Sequence, residues 1–158
     1  MKAYSVLDIF QNEALFCALL GWFSAQTLKV VLYAVLERRF DIRRFWGSGG
    51  MPSSHSALVV SLAMMVGFLH GFETAAFATC AVLSLVVMYD AAGVRRETGT
   101  QATVINQILK DVLINGKPIS DEELKELVGH TPLEVLGGAI VGILVALGYW
   151  ALWMPKVV

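Results

Sequence analysis

Two histidines carry the chemistry this sequence offers. His55 lies in Gly49-Gly50-Met51-Pro52-Ser53-Ser54-His55-Ser56, and His130 opens His130-Thr131-Pro132-Leu133-Glu134, each just ahead of an apolar stretch. Glycines let a backbone come close to a ligand, and Pro52 with Ser53 and Ser54 suits a helix N-terminus, so free N–H groups, hydroxyls and a helix dipole would converge on one anion. An ordinary serine-capped helix start uses the same residues. At His130 the Glu134 carboxylate falls one helical turn from the imidazole, where it could fix the tautomer and stabilise a positively charged ring. Thr131, Pro132 and Glu134 also spell a capping box with proline at the first helical position, and the two roles are compatible. His70, at the opposite end of its apolar stretch, reads as an interfacial rim residue.

Several cations stand close enough to join them. Lys29 sits inside an apolar run with Gln26 one turn away; a cation there is a functional feature by default, or a side chain that snorkels to the interface. Asp90 ends an apolar run, and Arg95 and Arg96 follow it within two turns. These arginines, like Arg38, Arg39, Arg43 and Arg44, suit phosphate binding and a topology signal equally well.

The elements that must position these groups are membrane helices. Of the 158 residues, 56% are hydrophobic and 16% charged, and the mean hydropathy is +0.65. A soluble fold of this size could not hide so much apolar side chain, so the chain reads as one integral membrane domain over residues 1–158. A formal charge of -1 argues against capture of nucleic acid. Cys17 and Cys80 fall in apolar stretches and make neither a disulfide framework nor a metal knuckle.

A span needs roughly 20 apolar residues. The sequence offers four: about Ala14 to Leu36, Ala57 to Phe72, Ala75 to Tyr89 and Leu133 to Met154, the second and third short and joined by a hairpin at Gly71-Phe72-Glu73-Thr74. The polar N-terminal residues carry no cleavage site, so the first span is expected to be retained. Nine of the 12 basic residues (Arg38, Arg39, Arg43, Arg44, Arg95, Arg96, Lys110, Lys117 and Lys125) lie in the two longer loops. The positive-inside rule then puts those loops in the cytoplasm and both termini outside. Val104, Ile105, Ile108, Leu109, Val112 and Leu113 recur at helical spacing and predict an amphipathic helix ending near Asn115, with a short helix from Ser120 to Gly129 after it. The expected architecture is an all-α polytopic bundle of about four spans plus this cytoplasmic amphipathic helix.

The run Pro52-Ser53-Ser54-His55, with His130-x-x-x-Glu134-Val135-x-x-Gly138-x-x-x-Gly142 far downstream, resembles the second and third signature motifs of the type 2 phosphatidic acid phosphatase and vanadium-dependent haloperoxidase superfamily. The segments GGMPSSHSA, YDAAGVRRETGTQA and GHTPLEVLGGAIVG are similar to its divergent, small bacterial and plastid membrane branch. The resemblance runs over nearly the whole chain from Gln26 onward. It implies His130 as nucleophile, Glu134 as its orienting carboxylate, His55 as general acid, and Lys29, Arg38, Ser53, Ser54, Arg95 and Arg96 as candidate phosphate ligands, without a metal or cofactor. The sequence departs from the superfamily pattern at four places. Lys29 is not followed by the usual arginine-proline, Leu124 stands where an arginine precedes the nucleophile, Glu134 replaces aspartate and Ser54 replaces glycine.

In function, the resemblance implies a lipid-phosphate phosphatase in a bacterial cytoplasmic membrane, acting on a phosphomonoester or diphosphate through a phosphohistidine. A non-catalytic phospholipid-binding or lipid-translocating protein would need the arginines and serines but not both histidines. A metal hydrolase using His55, His130 and Asp90 or Glu134 would be sensitive to chelators. Gly138 and Gly142, extended by Ala146, form a small-residue stripe that could hold a second copy of the chain or pack on its own first or second span.

Overall fold

The computed structural model describes residues 5–46, 49–93, 99, 101–105 and 130–153. Four long helices dominate: α1 (Glu13–Glu37), α2 (Ser54–His70), α3 (Ala75–Ala92) and α4 (Pro132–Trp153). Each begins on a residue whose side chain accepts an otherwise unpaired N–H of the first turn. Asn12 takes Leu15 N–H at 3.0 Å, Ser53 takes Ser56 N–H at 3.4 Å, Thr74 takes Phe77 N–H at 3.3 Å and Thr131 takes Glu134 N–H at 3.3 Å. α2 stops at Gly71, whose φ of +98° favours glycine, and the turn to α3 at Thr74 is the hairpin the sequence predicts.

No strand occurs among the described residues, and the chain is a helical membrane bundle. α1, α3 and α4 are long and apolar enough to cross a bilayer, while α2 has 17 residues, about 25 Å of helix. Large apolar side chains such as Leu83, Val86, Leu144 and Leu147 point outward, as they should where the solvent is hydrocarbon. Of the predicted amphipathic helix, only its start falls within the helical residues 101–105; the rest of it and the short helix up to Gly129 lie outside the described residues.

α2 is the central helix and packs on the other three. Small residues make this possible, because dispersion between closely approaching backbones, rather than expulsion of water, holds helices together in lipid. Gly21 of α1 lies against Ser61 and the Ala57 carbonyl. From the other side, a Cβ on Gly142 would stand 2.7 Å from the Ala57 carbonyl oxygen and 3.1 Å from the Ser61 nitrogen, and one on Gly138 would strike the Ser53 carbonyl. The Gly138, Gly142 and Ala146 stripe is therefore buried inside the chain, with the first two on α2, the intramolecular partner the sequence left open. Ser84 of α3 donates to the Val59 carbonyl of α2 at 2.8 Å. At the end where α1 begins and α4 ends, the Tyr149 hydroxyl donates to the Glu13 carboxylate.

The connection from α1 to α2 departs from the simple polar loop the sequence suggests. Arg38 caps α1 in the left-handed region with φ 52°. The chain then doubles back: Phe45, in the 3-10 turn Ile42–Trp46, meets Trp22 edge-on at 5.8 Å and Phe23 at 5.7 Å between ring centroids. Trp22 lies about 22 Å before the end of α1 along the helix axis. The chain next reaches Gly50, whose φ is +91° and where an added Cβ would stand 3.6 Å from the aliphatic stem of Lys29.

Candidate functional site

The antiparallel order of the helices brings the end of α1, the start of α2, the end of α3 and the start of α4 to one end of the bundle. His130 N–H donates to the Ala91 carbonyl at 3.1 Å, which ties the entrance of α4 to the exit of α3. Ser53 N–H donates to the Glu134 carbonyl at 2.9 Å, which ties the entrance of α2 to the first turn of α4. These two backbone bonds set the two motifs side by side although 75 residues of sequence separate the histidines. The imidazole rings of His55 and His130 stand 6.3 Å apart, centroid to centroid.

His130 is 2% exposed. Its Nδ1 lies 2.9 Å from Glu134 Oε2, an oxygen that also accepts the Thr131 N–H at 3.2 Å. Capping and orientation thus coincide in one carboxylate. An ionised carboxylate only accepts, so Nδ1 carries the proton and the lone pair sits on Nε2. Nε2 is buried and has no hydrogen-bond partner among the described residues. A buried polar atom without a partner is a rarity that calls for a ligand or a catalytic role.

Lys29 is 3% exposed and so does not snorkel. Its aliphatic stem runs past Gly50, and the Glu134 carboxylate is an opposite charge acting on it. Bringing an ammonium out of water is costly unless counter-charge accompanies it, and an anionic ligand would add to what Glu134 supplies. Ser53 and Ser54 are both buried. The Ser53 backbone N–H, expected from the sequence to face phosphate, is instead engaged by the Glu134 carbonyl; its hydroxyl accepts the Ser56 N–H and keeps its own proton to donate. Ser56, which belongs to the motif but which its sequence context does not single out, is fully buried with an unpartnered Oγ.

Lys29, Ser53, Ser54, His55, His130 and Glu134 are thereby gathered at one end of the bundle. Arg38 and Arg39 are exposed at and beyond the C-cap of α1. Arg95 and Arg96 lie outside the described residues. No group of three or more metal-ligating side chains occurs among the described residues.

Two histidines therefore stand at the mouths of two helices, 6.3 Å apart between ring centroids, one of them in contact with a carboxylate a turn away. The sequence profile described as "Divergent PAP2 family" matches residues 10–145. The chain belongs to this family. It is also 37% identical over 151 residues to the "Uncharacterized membrane protein YuiD" of Bacillus subtilis (strain 168), an alignment covering 89% of this chain and 96% of that one. No solved structure matches. With its apolar helices, membership of the divergent PAP2 family makes this an integral membrane protein of a phosphatase-like family.

Proposed function

We propose that the protein is a membrane lipid-phosphate phosphatase that hydrolyses a phosphomonoester or diphosphate by way of a phosphohistidine on His130. The observation that carries this reading is the buried, unpartnered His130 Nε2, whose lone pair is set by the Glu134 contact at Nδ1. Nε2 attacks phosphorus and the bond from phosphorus to the leaving oxygen breaks, that of the lipid alcohol in a monoester or of the inner phosphate in a diphosphate. His55 gives a proton to the departing oxygen, Glu134 stabilises the imidazolium, and water then attacks the phosphohistidine to release phosphate. Lys29 and the Ser53 hydroxyl stabilise charge on the non-bridging oxygens, a task that fixed donors perform well where water is scarce.

The distribution of basic residues supports cytoplasmic polar loops, which would open the site to the inner leaflet. Rapid quench of purified protein with radiolabelled lipid phosphate, followed by analysis for acid-labile phosphate, tests the reading. Label on His130 is the expected result. Full turnover in His130→Ala, or label on another residue, overturns it; binding of lipid phosphate without turnover would leave a carrier or translocator.

A further inference from the structure

Among the described residues, buried side-chain polar atoms without partners gather toward the site end of the bundle. Farther along, the Ser61 hydroxyl donates to the Ala57 carbonyl at 2.7 Å and the Ser84 hydroxyl to the Val59 carbonyl at 2.8 Å. Beside the site, by contrast, Ser56 Oγ, His130 Nε2 and Gln26 Oε1 have no hydrogen-bond partner among the described residues. The chemistry above uses Nε2, and a serine hydroxyl can turn its proton toward phosphate. Gln26 is left over.

Gln26 is 5% exposed and shares a face of α1 with Lys29. It lies one turn nearer the bundle centre, about 4.5 Å along the axis. A carbonyl oxygen cannot bind an ionised phosphate oxygen, since both only accept; it needs a donor. The donor must also sit on the tail side of the phosphate, because Gln26 is deeper in the membrane than Lys29. The axial offset is about the reach of a phosphoester O–C–C–O unit.

We propose that Gln26 is a specificity-determining residue that accepts a hydrogen bond from a hydroxyl on the lipid backbone, a few bonds from phosphorus. This rests on the lipid-phosphate reading of the site and narrows the substrate class to lipid phosphates with a free hydroxyl beside the phosphate-bearing carbon. Rotation of the amide would present its NH2 instead, and the same hydroxyl would then accept. An NH2 that donated to a phosphate oxygen would not distinguish lipids with and without the hydroxyl, an outcome that counts against the proposal.

The test uses the full chain in mixed micelles with two lipids that differ by one group: oleoyl lysophosphatidate and its deoxy analogue, an oleoyl propanediol phosphate. Dissociation constants and kcat/KM for phosphate release are measured for both. The wild type is expected to favour the hydroxyl-bearing lipid about tenfold, chiefly in Kd and KM. Gln26→Met, similar in volume but without the amide, should bring the ratio close to one. Gln26→Glu keeps an acceptor and should keep the preference despite weaker binding of both anions. A wild type that treats the lipids alike, or a Met variant that loses both in parallel while the ratio persists, overturns the proposal. If the wild type binds both and releases phosphate from neither, the phosphatase reading falls and the Kd ratio still decides the role of Gln26. If it binds neither, both readings fall. Should Gln26→Met elute as aggregate, the wild-type ratio and the Glu variant decide.

Discussion

Glu134 Oε2 stands 2.9 Å from His130 Nδ1 across one turn at the mouth of α4, and the same oxygen takes the Thr131 N–H at 3.2 Å. Substitution separates the two duties. In Glu134→Gln the amide oxygen can still accept from Thr131, so thermal unfolding should shift by no more than a few degrees. An uncharged side chain stabilises an imidazolium poorly, and turnover should fall on the order of 10²–10⁴-fold. Glu134→Ala should lose the carboxylate's half of the capping box as well, up to about 1 kcal/mol of helix stability. Phosphate release and circular dichroism melts on the same preparations check both; a Gln variant with full turnover would reduce Glu134 to a capping residue.

The 6.3 Å between the imidazole centroids divides the labour of the two histidines. His130→Ala should form no acid-labile phosphoenzyme with any substrate. His55→Ala should lose about 10²–10⁴-fold with lipid phosphates, yet still be labelled by nitrophenyl phosphate, whose leaving group needs no proton. Equal losses by His55→Ala on both substrate types would remove the general-acid role.

The contact of α4 with α2 makes a stability prediction. Gly142→Ala would place a methyl 2.7 Å from the Ala57 carbonyl oxygen, and Gly138→Ala would drive one into the Ser53 carbonyl. Each should cost about 1–3 kcal/mol, and Gly138→Ala should also impair phosphate-lipid binding by displacing the start of α2. Gly148 faces open space on the same helix, so Gly148→Ala should be neutral or stabilise by up to about 1 kcal/mol. Steric-trap or denaturant unfolding in mixed micelles orders the three.

Much of this arrangement was legible because its rules are local. Thr131, Pro132 and Glu134 announce a cap within four residues, Ser53 and Ser54 announce another, and apolar runs announce spans. What was not legible depends on contacts between distant residues. Gly138 and Gly142 form a visible stripe, but α2 and a second copy of the chain would offer it similar small-residue surfaces. The Ser53 N–H looks free until the Glu134 carbonyl arrives from α4. Gln26 reads as a polar interruption of a span, since only the packed bundle leaves its oxygen without a partner. The arginine contribution at Arg95 and Arg96 lies outside the described residues, and Arg38 is exposed.

The doubling back of the chain after α1 gives the last prediction. A polar loop at the surface would hold Trp46 in water. Instead Phe45 rests on Trp22 and Phe23 well along α1, and Trp46 is stacked edge-on to Phe45 at 5.3 Å with 79% of its surface exposed. An indole exposed at that height beside a spanning helix faces lipid, where its apolar ring is favoured. With Trp22, Trp150 and Trp153 changed to Phe, the remaining Trp46 emission should be blue-shifted and quenched by lipids brominated on their acyl chains, and little affected by aqueous iodide. Phe45→Ala removes the ring that anchors the segment, and should shift the emission to the red and restore quenching by iodide. Iodide quenching of the parent protein, with no effect of brominated lipid, would mean that the segment lies in water and that α1 rises beyond the bilayer with it.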